Sequence, residues 1–167
     1  MVKKGMLKYL SNERVFQEYN KLLLSNRPSI GLSFLKDIKA LYPCLDVLSS
    51  TMQRLDYHPE GDVWKHTLLV TDLAALCCHK TAYPLGFMWG ALLHDIGKPI
   101  VTTKEGHAPK HNEAGVKVFD EQLKSLIMDK KLGFEDFIAD VAAENQEFVR
   151  ELHAGLTELG CKMEVKA

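Results

Sequence analysis

Two short stretches decide how this chain folds, His58-Pro-Glu-Gly-Asp-Val-Trp-Lys-His66 and Ala91-Leu-Leu-His-Asp-Ile-Gly-Lys-Pro99. The second stretch places two adjacent polar residues, His94 and Asp95, in an apolar run that is typical of a buried helix. Burying an imidazole beside a carboxylate costs several kcal/mol unless both groups are paired. A divalent cation would remove that cost, because it accepts a lone pair from the histidine and the charge of the aspartate. The stretch therefore indicates a metal site.

A pair of consecutive helices brings a second histidine, His66, to the same place. The sequence predicts helices over 63–80 and 84–96, and Pro84 suits the first turn of the second helix. In an antiparallel pair, the start of the first helix lies beside the end of the second. Position 66, near that start, is then close to positions 94 and 95, near that end. This spacing predicts His66, His94 and Asp95 as metal ligands. From the residues alone, the alternative that His94 and Asp95 are only a helix-end pair, with His66 merely nearby, stays open.

The composition sets broad limits on the fold and on the partners. The chain has 167 residues, of which 46% are hydrophobic and 26% charged, as expected for one globular domain. A formal net charge of −1 excludes a strongly basic field of the kind that attracts nucleic acid without specificity. The four cysteines show no C-x-x-C spacing, which favours buried thiols in a reducing compartment. No apolar run reaches the ~18 residues of a membrane span, and we expect a cytoplasmic protein with no membrane partner.

The rest of the chain also has helical periodicity, which predicts an all-α single domain. Residues 1–50 are expected to form a helical, neck-like leader, and residues 51–167 the main domain. A first helix should begin after a cap residue, Ser11 or Asn12, and Gly97 is expected to end the 84–96 helix as a C′ glycine. Residues 97–111 are expected to form a loop, in which Ile100–Thr103 is the one candidate strand. The further predicted helices cover about 29–41, 44–53, 112–129 and 134–158.

Three segments in a fixed order resemble the HD-domain metal-dependent phosphohydrolases, namely His58–His66, His94–Pro99 and His111-Asn-Glu-Ala-Gly115. They resemble more closely the HD-containing C-terminal half of bacterial tRNA nucleotidyltransferases, the CCA-adding enzymes. The leader residues Asn12–Phe16 and Gly31–Lys36 are similar to the helical region before the HD part in those enzymes. The resemblance covers roughly residues 11–120 and implies a helical HD-domain bundle of about six to eight helices.

The resemblance also implies roles for residues around the predicted ligands. Asp95, Lys98 and His111 match catalytic positions, with Lys98 facing the substrate phosphate and His111 binding a second metal or that phosphate. His58 and Asp62 are expected to support the ligands, and Asp62 lies four residues before His66, where it could receive that ring's N–H. The alternatives are that Lys98 is an exposed helix-end lysine, that His111 is a surface histidine, and that Asp62 only caps a helix.

The sequence offers three candidates for a late acidic ligand. HD proteins usually close the metal site with an aspartate on a late helix, and Asp140 fits that pattern. The helical phase of the 134–158 segment instead favours Glu144, which lies at the flank of the apolar face, whereas Asp140 and Glu147 point away. Asn145 stands where many CCA-type relatives carry a histidine. Which of Asp140, Glu144 or Glu147 completes the shell, if any does, stays open.

These expectations define two functional hypotheses. The first is a metal-dependent phosphohydrolase that acts on a nucleotide or RNA-end phosphate, with a 2′,3′-cyclic phosphate as the specific candidate and tRNA as a candidate partner. Its cofactor would be a divalent ion, one of Mn, Ni, Mg, Fe, Co or Zn. The second is a catalytically weak helical module that binds RNA or a protein. CCA addition is not expected, because no Gly-Ser followed by an Asp-x-Asp pair occurs in the chain.

Overall fold

The computed structural model describes residues 11–124, and this part of the chain is helical. Its regular helices are α1 (Asn12–Leu23), α2 (Pro28–Asp37), α3 (Pro43–Asp46), α4 (Val63–Cys77), α5 (Pro84–Leu93), α6 (Lys98–Val101) and α7 (His111–Val118). Shorter 3-10 turns cover Val47–Ser50 and Cys78–Lys80, and a π-helical turn, Phe119–Leu123, follows α7. Within residues 11–124, extended pairing is limited to one isolated bridge between Met52 and Asp62. The all-α prediction is confirmed.

Helices α4 and α5 form the central pair, and both begin where the sequence predicts. The Asp62 side chain caps α4 by accepting a hydrogen bond from the Lys65 backbone N–H at 2.9 Å. Pro84 occupies the first turn of α5, where its missing N–H has no consequence. Because α5 is apolar on nearly every side, it is buried between its neighbours, and its last turn meets the first turn of α4.

The leader helices pack directly on this pair. Phe16 and Tyr19 of α1 stack near Trp89 of α5, with ring centroids 5.4 and 5.9 Å from the indole. The indole Nε1–H donates to Asn20 Oδ1 at 2.7 Å, which satisfies the polar end of a buried tryptophan. These contacts join α1 and α5 in one apolar core. The predicted division near residue 50 into a leader and a main domain stays a prediction.

A carboxylate on α4 fixes the start of α2. Asp72 accepts hydrogen bonds from the Ser29 backbone N–H at 2.9 Å and from the Ser29 hydroxyl at 2.6 Å. The interaction supplies the cap that Arg27, at the N-cap position, does not provide with its own side chain. No helix among residues 11–124 is both long enough and apolar enough to cross a lipid bilayer.

The structure corrects several predicted boundaries. Helix α2 ends at Asp37 and not near residue 41, because Lys39 takes a left-handed conformation (φ 56°) that breaks the helix. The segment predicted as one helix over 44–53 divides into α3 and a 3-10 turn. The candidate strand Ile100–Thr103 is wrong, since Ile100 and Val101 belong to the short helix α6 inside the predicted loop. The helix predicted over 134–158 lies outside the described residues.

Gly97 is present for a different reason from the one predicted. Its φ of −82° is not the left-handed conformation of a C′ glycine. A Cβ at this position would instead overlap the backbone of α7, at the His111 carbonyl oxygen and the Gly115 nitrogen. The glycine therefore allows α7 to lie against the end of the α5 segment, which brings His111 towards Asp95.

Candidate metal centre

Three side chains of the metal-ligand type meet where α4 begins and α5 ends. Their nearest ligand atoms, on His66, His94 and Asp95, all lie within 4.8 Å of one another. Asp95 Oδ2 is 3.1 Å from His94 Nε2 and 3.9 Å from His66 Nε2. The structure thus brings together the three residues that the spacing predicted as ligands, as the antiparallel arrangement of the two helices requires.

Hydrogen bonds fix which nitrogen each imidazole presents to the cluster. His94 Nδ1 lies 2.9 Å from the Ala91 carbonyl oxygen, and His66 Nδ1 lies 2.6 Å from Glu60 Oε1. Both partners are acceptors, so each Nδ1 carries a proton and each Nε2 is left to face Asp95. Burial lowers the pKa of His66 despite the neighbouring Glu60 carboxylate, and favours a neutral ring. Neutral imidazole is the form that binds a metal.

Asp95 is the most deeply buried charge among the described residues of the site. Only 1% of its surface is exposed. Burial opposes its ionisation, but the nearby His94, Lys98 and His66 outweigh burial and hold the pKa of the carboxyl well below its ordinary value. Its Oδ2 receives no hydrogen bond of acceptable geometry from any described residue, although Lys98 Nζ is 2.7 Å away.

This orphaned oxygen fits a divalent cation. Asp95 Oδ2 and His94 Nε2 face each other at 3.1 Å, and a cation bound by both would accept a lone pair from each. A metal ion bonded to His66, His94 and Asp95 would satisfy all three groups, and a mixed nitrogen and oxygen donor set suits first-row divalent ions. The residues present therefore fit a metal.

Glu60 supports the cluster from behind and was missed by the sequence reasoning. Its carboxylate accepts from His66 Nδ1 and also lies 3.1 Å from His58 Nδ1. Burial opposes its ionisation, but hydrogen bonds, above all from His66, lower its pKa to about 2. Asp62, which the helical spacing favoured for this role, caps α4 instead. Glu60 lies in a turn that the Gly61 N–H closes by donating to the His58 carbonyl oxygen at 3.0 Å, with a φ of 93° at Gly61, and no periodicity reveals that path.

Lys98 lies inside the site and is not an exposed helix-end lysine. Its side chain is 12% exposed, and Nζ is 2.7 Å from Asp95 Oδ2 and 2.6 Å from Gln53 Oε1. The ammonium is thus held beside the cluster by the charge of Asp95 and by a hydrogen bond to Gln53. Gln53 had not been singled out from the sequence, because a glutamine in a polar segment carries no distinguishing signal.

His111 approaches the other oxygen of the same carboxylate. Its Nε2 is 3.5 Å from Asp95 Oδ1, while its Nδ1 lies 3.0 Å from the Ala108 carbonyl oxygen. Its side chain is more than a third exposed, so one face is open to a ligand. The proposed late ligands Asp140, Glu144 and Glu147 lie outside the described residues. The assigned roles of all these residues stay predictions.

Comparison with family models decides the family. A model described as the HD domain matches residues 63–161. This chain belongs to the HD domain family. The match to the HD domain begins with the first residue of α4 and includes His66, His94 and Asp95. A second model, described as the probable RNA and SrmB-binding site of polymerase A, matches residues 3–51.

Relatives of this HD domain chain confirm its resemblance to the CCA-adding enzymes. It is 39% identical over 130 residues to the multifunctional CCA protein of Aliivibrio salmonicida, covering 75% of this chain and 31% of the relative. It is 39% identical over 114 residues to that of Paraburkholderia phytofirmans (66% and 26%), and 37% identical over 123 residues to that of Acinetobacter baumannii (70% and 28%). The alignments thus span less than a third of these relatives. No solved structure matches the chain.

Proposed function

We propose that this protein is a metal-dependent phosphohydrolase that acts on a phosphate ester of a nucleotide or of an RNA end. The observation that carries the proposal is the state of Asp95. A buried, ionised carboxylate oxygen faces two imidazole nitrogens, and the Lys98 ammonium lies 2.7 Å from it without a hydrogen bond of acceptable geometry. A buried cluster of this kind favours a functional role, since apolar side chains would fill the same space at lower cost.

The residues divide between holding a cation and holding a phosphate. His66, His94 and Asp95 would bind the cation, which would polarise a phosphoryl oxygen and make an attacking water more acidic. The ammonium of Lys98 lies beside the cluster, where it would stabilise negative charge that develops on the phosphate. The exposed face of His111 allows its ring to contact the same phosphate or a second cation. Mn, Fe, Co, Ni and Zn suit the donor set, and Mg is a further candidate.

The substrate proposal rests on the comparisons. The match of residues 3–51 to a model described as RNA-binding, and the similarity to multifunctional CCA proteins, favour an RNA end or a nucleotide. Within that class, a 2′,3′-cyclic phosphate is the specific substrate that we propose. Transfer RNA is the candidate partner, and the chain would act on its 3′ end or on a fragment derived from it.

Hydrolysis of 2′,3′-cyclic AMP tests the proposal directly. Turnover should require added Mn or Ni, should stop with chelator, and should fall by about 10²-fold or more in the His94→Ala/Asp95→Ala variant. His79→Ala is the matched control, because His79 is an exposed histidine on the 3-10 turn that follows α4, and it should keep full activity. Equal inactivity of all three proteins, with no rise in wild-type melting temperature on adding metal, would refute the proposal.

A second function is favoured by one specific observation, the match of residues 3–51 to the RNA-binding model. In this alternative the chain is a helical module that binds RNA or a protein and has little or no hydrolytic activity. A gel-shift assay with tRNA separates the two functions. Tight binding that the His94→Ala/Asp95→Ala variant retains, in a protein without metal-dependent turnover, is the result expected for the module.

A further inference from the structure

An open cavity of about 400 Å³ is lined in part by Gln53, the residue that accepts a hydrogen bond from Lys98. One wall is the segment 50–53, which precedes α4, and the other consists of Pro99 and residues 102–106, around and after α6. Its volume lies within the range typical of small-ligand sites. The described residues that line the cavity do not include any of the predicted metal ligands.

Gln53 connects the cavity to the cluster. It lines the cavity, and its Oε1 accepts a hydrogen bond at 2.6 Å from Lys98 Nζ, which in turn contacts Asp95. Lysine can only donate, so the atom facing it must be the amide oxygen, and the amide nitrogen is the atom left over. The backbone of Gln53 is fixed as well, since its N–H donates to the Gly61 carbonyl oxygen at 2.8 Å.

The amide nitrogen of Gln53 lacks a partner. Gln53 is only 8% exposed, and its Nε2 is buried without an acceptor among the described residues. Buried donors are nearly always paired, and the exceptions usually mark a place where a ligand or water completes the bonding. The unpaired donor and the cavity are independent observations, and both point to a ligand beside Lys98.

The other lining groups define the chemistry of that ligand. Ser50, Thr51, Thr102 and Thr103 bring hydroxyl-bearing side chains to the cavity, and the charges of Lys104 and Glu105 are opposite in sign. The part of the lining that residues 11–124 provide therefore has no net charge and does not favour a second phosphate. None of the described residues that line the cavity is aromatic, so a ligand could not be held there by stacking on an aromatic side chain. A neutral group rich in hydrogen-bonding atoms fits best.

We propose that this cavity is the nucleoside subsite, which takes the sugar and base of a nucleotide whose phosphate lies at the metal cluster, with the Gln53 amide as a donor to it. The proposal rests on the hydrolytic function proposed above. It adds a specificity role for Gln53 and Thr51, and makes the nucleoside part of the substrate a determinant of binding.

Nuclear magnetic resonance tests the subsite without any need for turnover. The side-chain amide signal of Gln53 can be assigned by its loss in Gln53→Glu, a change that keeps an oxygen for Lys98 but removes the N–H donor. Adenosine and uridine, titrated separately to about 10 mM to reveal weak binding, should shift this signal in the wild-type protein. Inorganic phosphate is the matched probe for the cluster side. If neither nucleoside moves the Gln53 signal, the subsite is wrong, whatever the activity.

Kinetics provide the second measurement and separate the two proposals. The ratio of kcat/KM for 2′,3′-cyclic AMP to that for bis(p-nitrophenyl) phosphate, which has no nucleoside, should fall about tenfold in Thr51→Val, as expected for one lost hydrogen bond. Thr81→Val is the control, because the Thr81 hydroxyl bonds to the Cys78 carbonyl oxygen outside the cavity, and its ratio should match wild type. An unchanged ratio in Thr51→Val overturns the subsite alone, whereas absence of metal-dependent turnover of both esters refutes the hydrolytic function.

Discussion

The close approach of Gly97 to α7 gives a quantitative test of how the site is assembled. In Gly97→Ala, the new Cβ would lie 2.9 Å from the backbone carbon of Ala114, and closer still to two other backbone atoms of α7. Because the obstructing atoms are backbone, no change of side-chain rotamer can relieve the overlap. Helix α7 would have to move away from the end of the α5 segment, and His111 would move with it.

The size of the effect follows from the distances. Ordinary contact for a Cβ begins at 3.4 Å, so α7 must shift by roughly 1 Å, and overpacking of this kind costs about 1–3 kcal/mol. For a chain of this length, that loss should lower the melting temperature by about 3–10 °C. The distance from His111 Nε2 to Asp95 Oδ1, now 3.5 Å, should increase, and the metal-dependent activity proposed above should fall by up to about 10²-fold.

Gly115→Ala is the matched control, on the other side of the same contact. A Cβ at Gly115 would lie 3.6 Å from its nearest neighbours, which is an ordinary distance. Alanine is also favoured over glycine inside a helix by about 0.5–1 kcal/mol. This variant should therefore be as stable as wild type or slightly more stable.

Urea unfolding followed by circular dichroism measures both variants on one scale, provided that the m value is unchanged. An unfolding midpoint of Gly97→Ala equal to that of wild type would show that the backbone contact does not restrict this position. The same would follow if Gly115→Ala lost as much stability as Gly97→Ala, since the backbone contact would then not be the cause.

Three further predictions follow from single side chains. Glu60→Gln should weaken metal binding by about 10- to 100-fold, because it removes the carboxylate that orients His66. Asp62→Ala should instead cost about 1 kcal/mol of stability and leave the metal affinity unchanged. Melting temperatures measured over a metal titration distinguish the two variants. Tyr42→Phe should stabilise the protein by about 1 kcal/mol in urea unfolding, since the Tyr42 hydroxyl is buried without a hydrogen-bond partner among the described residues, and a loss of stability would contradict this. Burial raises the pKa of the Cys44 thiol to about 11 from an ordinary 9.0, so the unfolded chain loses this proton first. The free energy of unfolding that the neutral thiol contributes is therefore complete below about pH 9 and is lost as the pH rises from about 9 to 11. In urea unfolding at these pH values, Cys44→Ser should lose less stability than wild type.

The sequence predicted the elements whose signals are local. The cap residues Ser11 and Asp62 and the proline at position 84 mark helix starts, and each helix begins there because the physical cause lies within one turn. The ligand-type residues His66 and Asp95 were placed together by helix length alone, since two rigid helices leave little freedom at their ends.

The parts that the sequence did not reveal depend on loop paths. Glu60 reaches His66 from a turn in which Gly61 takes a positive φ, and a helical spacing rule could only favour Asp62. Gln53 reaches Lys98 across 45 residues of chain, which no local pattern encodes. The role of Gly97 depends on where α7 lies, so its sequence position at a helix end favoured a different explanation.

The aromatic stack of α1 on α5 bears on how such chains are inherited. The two family models divide the chain between residues 51 and 63, yet Phe16 and Tyr19 on one side of that border share a core with Trp89 on the other. Evolution can exchange a segment freely only when its contacts end where the segment ends. Here a recombination event at the border would part the indole from its neighbours and leave Asn20 without its donor, so the leader and helix α5 are expected to be transmitted and to diverge together.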